Sequence, residues 1–357
     1  MAVTLQSILN RVLTEAAKRR ASTIHLTVGA PPMLRLDEEL LDIPETEVLT
    51  REFMEKLAES ILDDAGRQQL SSQKSLSIVK TVADRFRLKM NFFFQKGNIA
   101  AEFRLIPSQS PPLINLGLPK AVYGLADRRS GLIVVAGPYG SGRSTTVASF
   151  LEEINRSRKE AILTIEQPTE YLHVNKMSLV EQREVGLDAP SFVDALRACQ
   201  ESDIDVLSVG RTSEPGVQQL VLEFAASGRL TFWQSDATSA VHAIESLLID
   251  FSVEDRSRGQ LLVSEALLAV LVQRLIPRTG GGHVLAAEVL INNDAISSLI
   301  RENRLNQIPT ILQSSRAEGM LTLDQSLAAL VKSGEVLIDQ AIEYAVSPEG
   351  LRSMIKR

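Results

Sequence analysis

Gly137-Pro138-Tyr139-Gly140-Ser141-Gly142-Arg143-Ser144-Thr145 is the stretch that decides the fold. It follows the apolar run 132–136 and precedes a helical pattern over 144–155. Its spacing is that of a phosphate-cradling loop, G-x-x-x-x-G-K-[ST], with arginine standing where lysine is expected. The glycines let backbone N–H groups converge on phosphate oxygens, and the helix N-terminus that follows adds a favourable dipole. These nine residues are the candidate nucleotide-binding set. Arg143 is the candidate cation for the β- and γ-phosphates, and Ser144 is the candidate ligand for Mg²⁺.

Outward from the loop, apolar strand runs at 132–136, 162–165, 206–209 and 230–233 alternate with helical patterns at 144–155, 190–200, 215–227 and 238–248. Apolar runs separated by helices predict an α/β fold with a parallel sheet covered on both faces. Beyond about Val253 the pattern is mostly helical, interrupted by Gly280-Gly281-Gly282 and a strand-like run at 284–291. Upstream the texture differs. Leu5, Ile8, Leu9, Val12, Leu13 and Ala16 recur at helical spacing, and a second helix opens at Thr50. Short strands are expected at 23–28, 34–36, 76–82, 86–94 and 99–105. The expected organisation is an α+β domain over 1–106, a Pro/Ser-rich linker over 107–117, and an α/β domain over 118–357 with a helical C-terminal part.

Composition narrows the function classes. A hydrophobic share of 44% and a charged share of 23% describe a globular chain, and a net charge of −6 gives no global case for nucleic acid or anionic membrane. The single cysteine, Cys199, excludes an internal disulfide and a multi-cysteine zinc site, and reads as a small buried hydrophobe. The segment 1–18 has an amphipathic pattern without an apolar h-region, and the longest wholly apolar run, 266–272, is short of a membrane span. A cytoplasmic protein is expected, recruited to the inner membrane by partner proteins if it works there.

Four further motifs carry a resemblance. Ala21-Ser22-Thr23-Ile24-His25-Leu26-Thr27-Val28-Gly29-Ala30-Pro31-Pro32 is similar to A-S-D-L-H-L-x-x-G-x-P-P. Ile162-Leu163-Thr164-Ile165-Glu166-Gln167-Pro168-Thr169-Glu170 is similar to the acidic box I-L-T-I-E-D-P-I-E. Gln182-Arg183-Glu184-Val185-Gly186 matches Q-R-E-V-G, and Ala295-Ile296-Ser297-Ser298-Leu299-Ile300-Arg301-Glu302 resembles A-I-R-N-L-I-R-E. Together with the loop, these resemble the type IV pilus retraction ATPases, the PilT-like branch of the type II/IV secretion ATPase superfamily, over nearly the whole chain. The resemblance implies a PAS-like N-terminal domain, a RecA-like P-loop domain, ATP and Mg²⁺ as ligands, and a homo- or hetero-hexamer working on an inner-membrane platform protein. It also implies that Glu166 is catalytic, and that Arg87, Lys89 and Arg104 face a neighbour's nucleotide. The bland alternative for those three is a solvated strand face.

The chain departs from that family where hydrolysis needs it most. Phosphoryl transfer to water requires a cation on the phosphates and a carboxylate that orients the attacking water. The cation is Arg143 instead of lysine. After the strand at 206–209 the family has Val-Gly-Glu, and this chain has Val209-Gly210-Arg211. The family's G-H-L-x-F-G-T-L-H-T reads Gly228-Arg229-Leu230-Thr231-Phe232-Trp233-Gln234-Ser235-Asp236-Ala237, so both histidines are replaced. Glu214 is the nearest acid that could stand in for the missing glutamate, and Asp203 and Asp205 lie at the start of the strand. Three readings follow. In the first the chain is a structural or regulatory ring subunit of a pilus or secretion motor with weak or absent hydrolysis, alone or mixed with an active paralogue. In the second it is an active ATPase with an altered site, and in the third a pure adaptor that binds no nucleotide.

Overall fold

The computed structural model describes residues 5–19, 21–36, 39–44, 46–83 and 85–356, and the chain divides into two compact units, 1–109 and 110–357. In the first unit the strands are β1 (Thr23–Leu26), β2 (Met33–Leu36), β3 (Glu39–Asp42), β4 (Ser75–Val82), β5 (Phe86–Gln95) and β6 (Asn98–Ile106). They form an antiparallel sheet in the order β3-β2-β1-β6-β5-β4. Strand alternation decides its faces. Along β5, Phe86, Leu88, Met90 and Phe92 are buried while Arg87, Lys89 and Asn91 are half-buried on the opposite face. The buried side packs with the helices Leu5–Arg19 and Arg51–Ile61 into one core that includes Leu13, Ile24, Leu57 and Phe103. Thr50 caps the second helix by accepting from the Phe53 N–H at 3.1 Å.

The second unit contains β7 (Gly131–Ala136), β8 (Ala161–Glu166), β9 (Leu179–Glu184), β10 (Val206–Val209), β11 (Leu230–Ser235), β12 (Leu267–Pro277) and β13 (His283–Ile291). Their order is β13-β12-β7-β11-β10-β8-β9; every pairing is parallel except β12 with β13. Both faces are covered, as the continuous apolar runs require. Along β7, Leu132, Val134 and Ala136 join one core and Ile133 and Val135 the other. A third cluster around Ile276, Leu323, Leu327 and Leu351 gathers the C-terminal helices. No helix among the described residues is long and apolar enough to cross a membrane.

One expectation needs correction. The region after Val253 is not mostly helical up to the glycine run, because β12 occupies 267–277 and lies beside β7. A short wholly apolar run carries no period, so pattern alone does not separate a buried strand from a buried helix. Within the expected linker, residues 113–116 form a 3₁₀ turn with Leu113 buried, and the Pro111 carbonyl accepts from Ser149 Oγ at 2.7 Å. Cys199 is buried at the end of the helix Phe192–Cys199.

Candidate nucleotide site

The loop 137–142 leaves the C-terminal end of β7 and enters the helix Arg143–Ser157. Gly137 has φ +144°, and a Cβ there would stand 2.5 Å from the Gln273 carbonyl oxygen and 2.6 Å from Ser141 Oγ, so only glycine fits. Gly142, at φ +89°, occupies the N-cap position, and no side chain caps that helix. The N–H groups of its first turn are those an α-helix leaves without intrahelical partners, which is what an anion requires. The rest is fastened: Gln273 Nε2 donates to Thr146 Oγ1 at 2.7 Å, and Thr145 Oγ1 lies 2.9 Å from the Tyr171 hydroxyl. Tyr139 is exposed at the loop's tip, whereas Ser141 is buried.

Strand order places the other site residues. β7, β11, β10 and β8 are consecutive neighbours, all parallel, so the loop, Asp236, Arg211 and Glu166 follow the same end of adjacent strands. Functional groups of such sheets gather at this end. Arg143 Nη1 donates to the Ser235 carbonyl at 2.6 Å and to Asp236 Oδ1 at 2.5 Å, and its side chain is only 8% exposed. Arg211 Nε pairs with the other carboxylate oxygen, Asp236 Oδ2. Burial alone would raise the Asp236 carboxyl, but the hydrogen bonds and charges of the two arginines outweigh it and hold it below the ordinary range. Three charged residues from three separate stretches of the chain thus form one Arg–Asp–Arg cluster.

Ser144 Oγ faces Gln234 Oε1 at 3.4 Å. The hydroxyl donates to that amide oxygen, and it would have to give up this hydrogen bond to hold a Mg²⁺ ion. Among the described residues no group of three or more His, Cys, Asp or Glu forms a metal site of its own.

The carboxylates divide by position. Burial, reinforced by the charges of Glu170 and Glu184, pushes the Glu166 carboxyl up to about 7. Glu214 is committed elsewhere: its oxygens accept from the Phe192 and Val193 N–H groups at 2.9 and 3.2 Å, at the start of the helix Phe192–Cys199. Asp205 accepts from the Ala161 N–H at 2.8 Å, at the opposite end of the strands from the loop. Arg229 also lies at that far end. It donates to the carbonyls of Gln200, Ser202 and Ile204 and stacks on Phe224, so it closes a turn rather than touching the site. Trp233 is core, and its Nε1 has no hydrogen-bond partner among the described residues. Arg87, Lys89 and Arg104 share one face of the first unit's sheet, with Lys89 directly opposite Arg104.

Sequence reasoning did not single out the cavity beside the loop. It has a volume of about 440 Å³ and is lined by Gly142, Thr145, Asn115, Arg278, His283 and Glu335 among others. Its residues come from segments far apart in sequence, and no motif announces them.

The family model for the type II/IV secretion system protein matches residues 2–283. The chain belongs to that family. Within it the resemblance is to retraction motors. The Type IV pilus retractation ATPase PilT of Pseudomonas aeruginosa is 35% identical over 343 residues, which span 96% of this chain and 99% of that protein. A twitching motility protein of Neisseria gonorrhoeae is 33% identical over 93% of this chain and 90% of its own length. The crystal structure of the pilus retraction motor PilT with bound ADP superposes with a TM-score of 0.84 at 37% identity, covering 96% of this chain and 98% of the other. The chain is therefore a PilT-like member of the type II/IV secretion ATPase superfamily.

Proposed function

We propose that this PilT-like chain is a ring subunit of a type IV pilus or related secretion motor that binds nucleotide and hydrolyses it weakly or not at all. The observation that carries this is Arg211. It stands at the end of β10, where the family has a glutamate, and it is paired with Asp236. On this reading neither Glu214, which caps a helix, nor Asp236, which is held between two arginines, takes that glutamate's place. Loss of a positioned base costs on the order of 10²–10⁴-fold in rate. On this reading the first unit is PAS-like and the second RecA-like, and six subunits, alone or mixed with an active relative, assemble in the cytoplasm at an inner-membrane platform. ATP and Mg²⁺ bind at 137–145, and the 440 Å³ cavity is of a size to take the nucleoside.

ATP turnover by the purified chain tests the proposal. Basal turnover should be near background, and Arg143→Lys combined with Arg211→Glu should raise it sharply. A second reading, an active ATPase with an altered site, is favoured by one observation: Glu166 titrates at about 7, the range suited to a general base. That reading requires motor-like turnover in the unaltered chain, abolished by Glu166→Gln and by Arg143→Ala.

A further inference from the structure

Arg143, Asp236 and Arg211 have a property that no single substitution would show. A guanidinium in a phosphate loop has two kinds of anion to choose between, carboxylate and phosphate, and both accept its planar fork. Here Arg143 is already engaged. Both contacts of its Nη1 go to the end of β11, one to a backbone carbonyl and one to Asp236, and its side chain is buried around them. The same Ser235 carbonyl accepts from the Gly137 N–H at 3.2 Å, so the first residue of the cradle and its cation are tied to one point.

We propose that Asp236 is a built-in competitor of phosphate for the loop cation, and that it sets the affinity of the site for nucleoside triphosphate. Three features make the exchange feasible. Asp236 keeps a second cation, Arg211, on its other oxygen, so releasing Arg143 does not leave a bare carboxylate. Asp236 is also 48% exposed, so water can take the vacated oxygen. The two arginines hold its carboxyl below the ordinary range, so it stays charged at working pH and the competition is always present. Arginine suits this arrangement better than lysine, because its several fixed donors let it turn from one anion to another without losing charge. The inference rests on reading 137–145 as a nucleotide site, not on weak hydrolysis. A binding assay tests it without turnover, so the two readings fail separately.

Binding of the non-hydrolysable analogue AMP-PNP with Mg²⁺ is measured by calorimetry on the full chain. Asp236→Asn keeps the shape and removes the charge. It should tighten binding up to about fivefold, the scale of one partly exposed ion pair at the upper end of its range. Asp236→Glu should stay near the unaltered chain. In an Arg143→Gln background, Asp236→Asn should change affinity little, because the competitor no longer has a cation to hold. A purely structural role for Asp236 would lower the melting temperature without this gain. The proposal is overturned if folded Asp236→Asn binds equally or more weakly, or if the gain persists with Arg143→Gln. It is also overturned if Asp236→Asn and Asp236→Ser both fail to fold, since the ion pairs would then be holding the fold rather than regulating the loop.

Discussion

Glu166 is the residue at which pH should be felt. Its folded value, about 7, lies above the usual carboxylate value near 4.5, so the folded chain binds this proton more tightly than the unfolded chain does. The stability it contributes is fully present below about pH 4.5 and is lost as pH rises through 7. Glu166→Gln, which mimics the protonated form, should therefore change stability little at pH 5. It should stabilise the chain at pH 8.5 by about 1–3 kcal/mol, screening by solvent reducing the figure. Urea denaturation at the two pH values checks this, and an equal effect at both would contradict it. Asp236 has the opposite sign. Its folded value is depressed, so its contribution is present above the unfolded value near 3.8 and fades as pH falls below it. Because the pair with Arg143 is half in water on the Asp236 side, Asp236→Asn should cost no more than about 1 kcal/mol at pH 7.

At the scale of elements, two turns decide how the site is built. The turn out of β7 exists because Gly137 fits beneath the Gln273 carbonyl of β12. Gly137→Ala should lower stability by more than about 2 kcal/mol, since both φ and space oppose a Cβ, and it should abolish binding of AMP-PNP. The turn after β10 sends Glu214 to the start of the helix Phe192–Cys199. Glu214→Ala should cost about 1–2 kcal/mol in chemical denaturation, the worth of a cap plus a favourable helix-dipole contact, with nucleotide affinity unchanged. Ser191 still caps the same helix through the Asp194 N–H, which limits the loss. β1, β2, β4, β5 and β6 of the first unit and β7, β8, β10 and β11 of the second were legible because alternation and bounded apolar runs are local signals, whereas the exposed four-residue β3 and the polar edge strand β9 carry neither. β12 was not, because its neighbour β7 decides its form and the residue paired with Leu267, Leu132, lies 135 positions upstream, in a pairing that no local pattern reports.

At the scale of the molecule, the chain holds separate cores. The first unit's cluster is drawn entirely from residues before 104, and the second unit's clusters begin at Leu113. Pro107, Ser108 and Gln109, between them, are exposed. Limited proteolysis should therefore cut first between 106 and 110, giving two fragments that resist further digestion, as mass spectrometry would show. Earlier cleavage inside either unit would count against two independent cores.

What the sequence determined by itself was the local chemistry. The glycine spacing of 137–145, the acidic box at 162–170, and the arginine that follows Val209-Gly210 are all statements about neighbouring residues, and such statements survive without a fold. Tertiary structure alone decided which departures belong together. Arg143 and Asp236 are 93 residues apart and Arg211 and Asp236 are 25 apart. They meet because β11 lies between β7 and β10, a strand order set by how the crossover helices pack and not by any residue's immediate neighbours. The same order separates Arg229 from the site although it stands only seven positions before Asp236, because a strand of about 3.3 Å per residue carries the chain from one end of the sheet to the other. Arg229 and Asp236, seven positions apart in one motif, are thus at opposite ends of the second unit's sheet, and only Asp236 lies beside the loop.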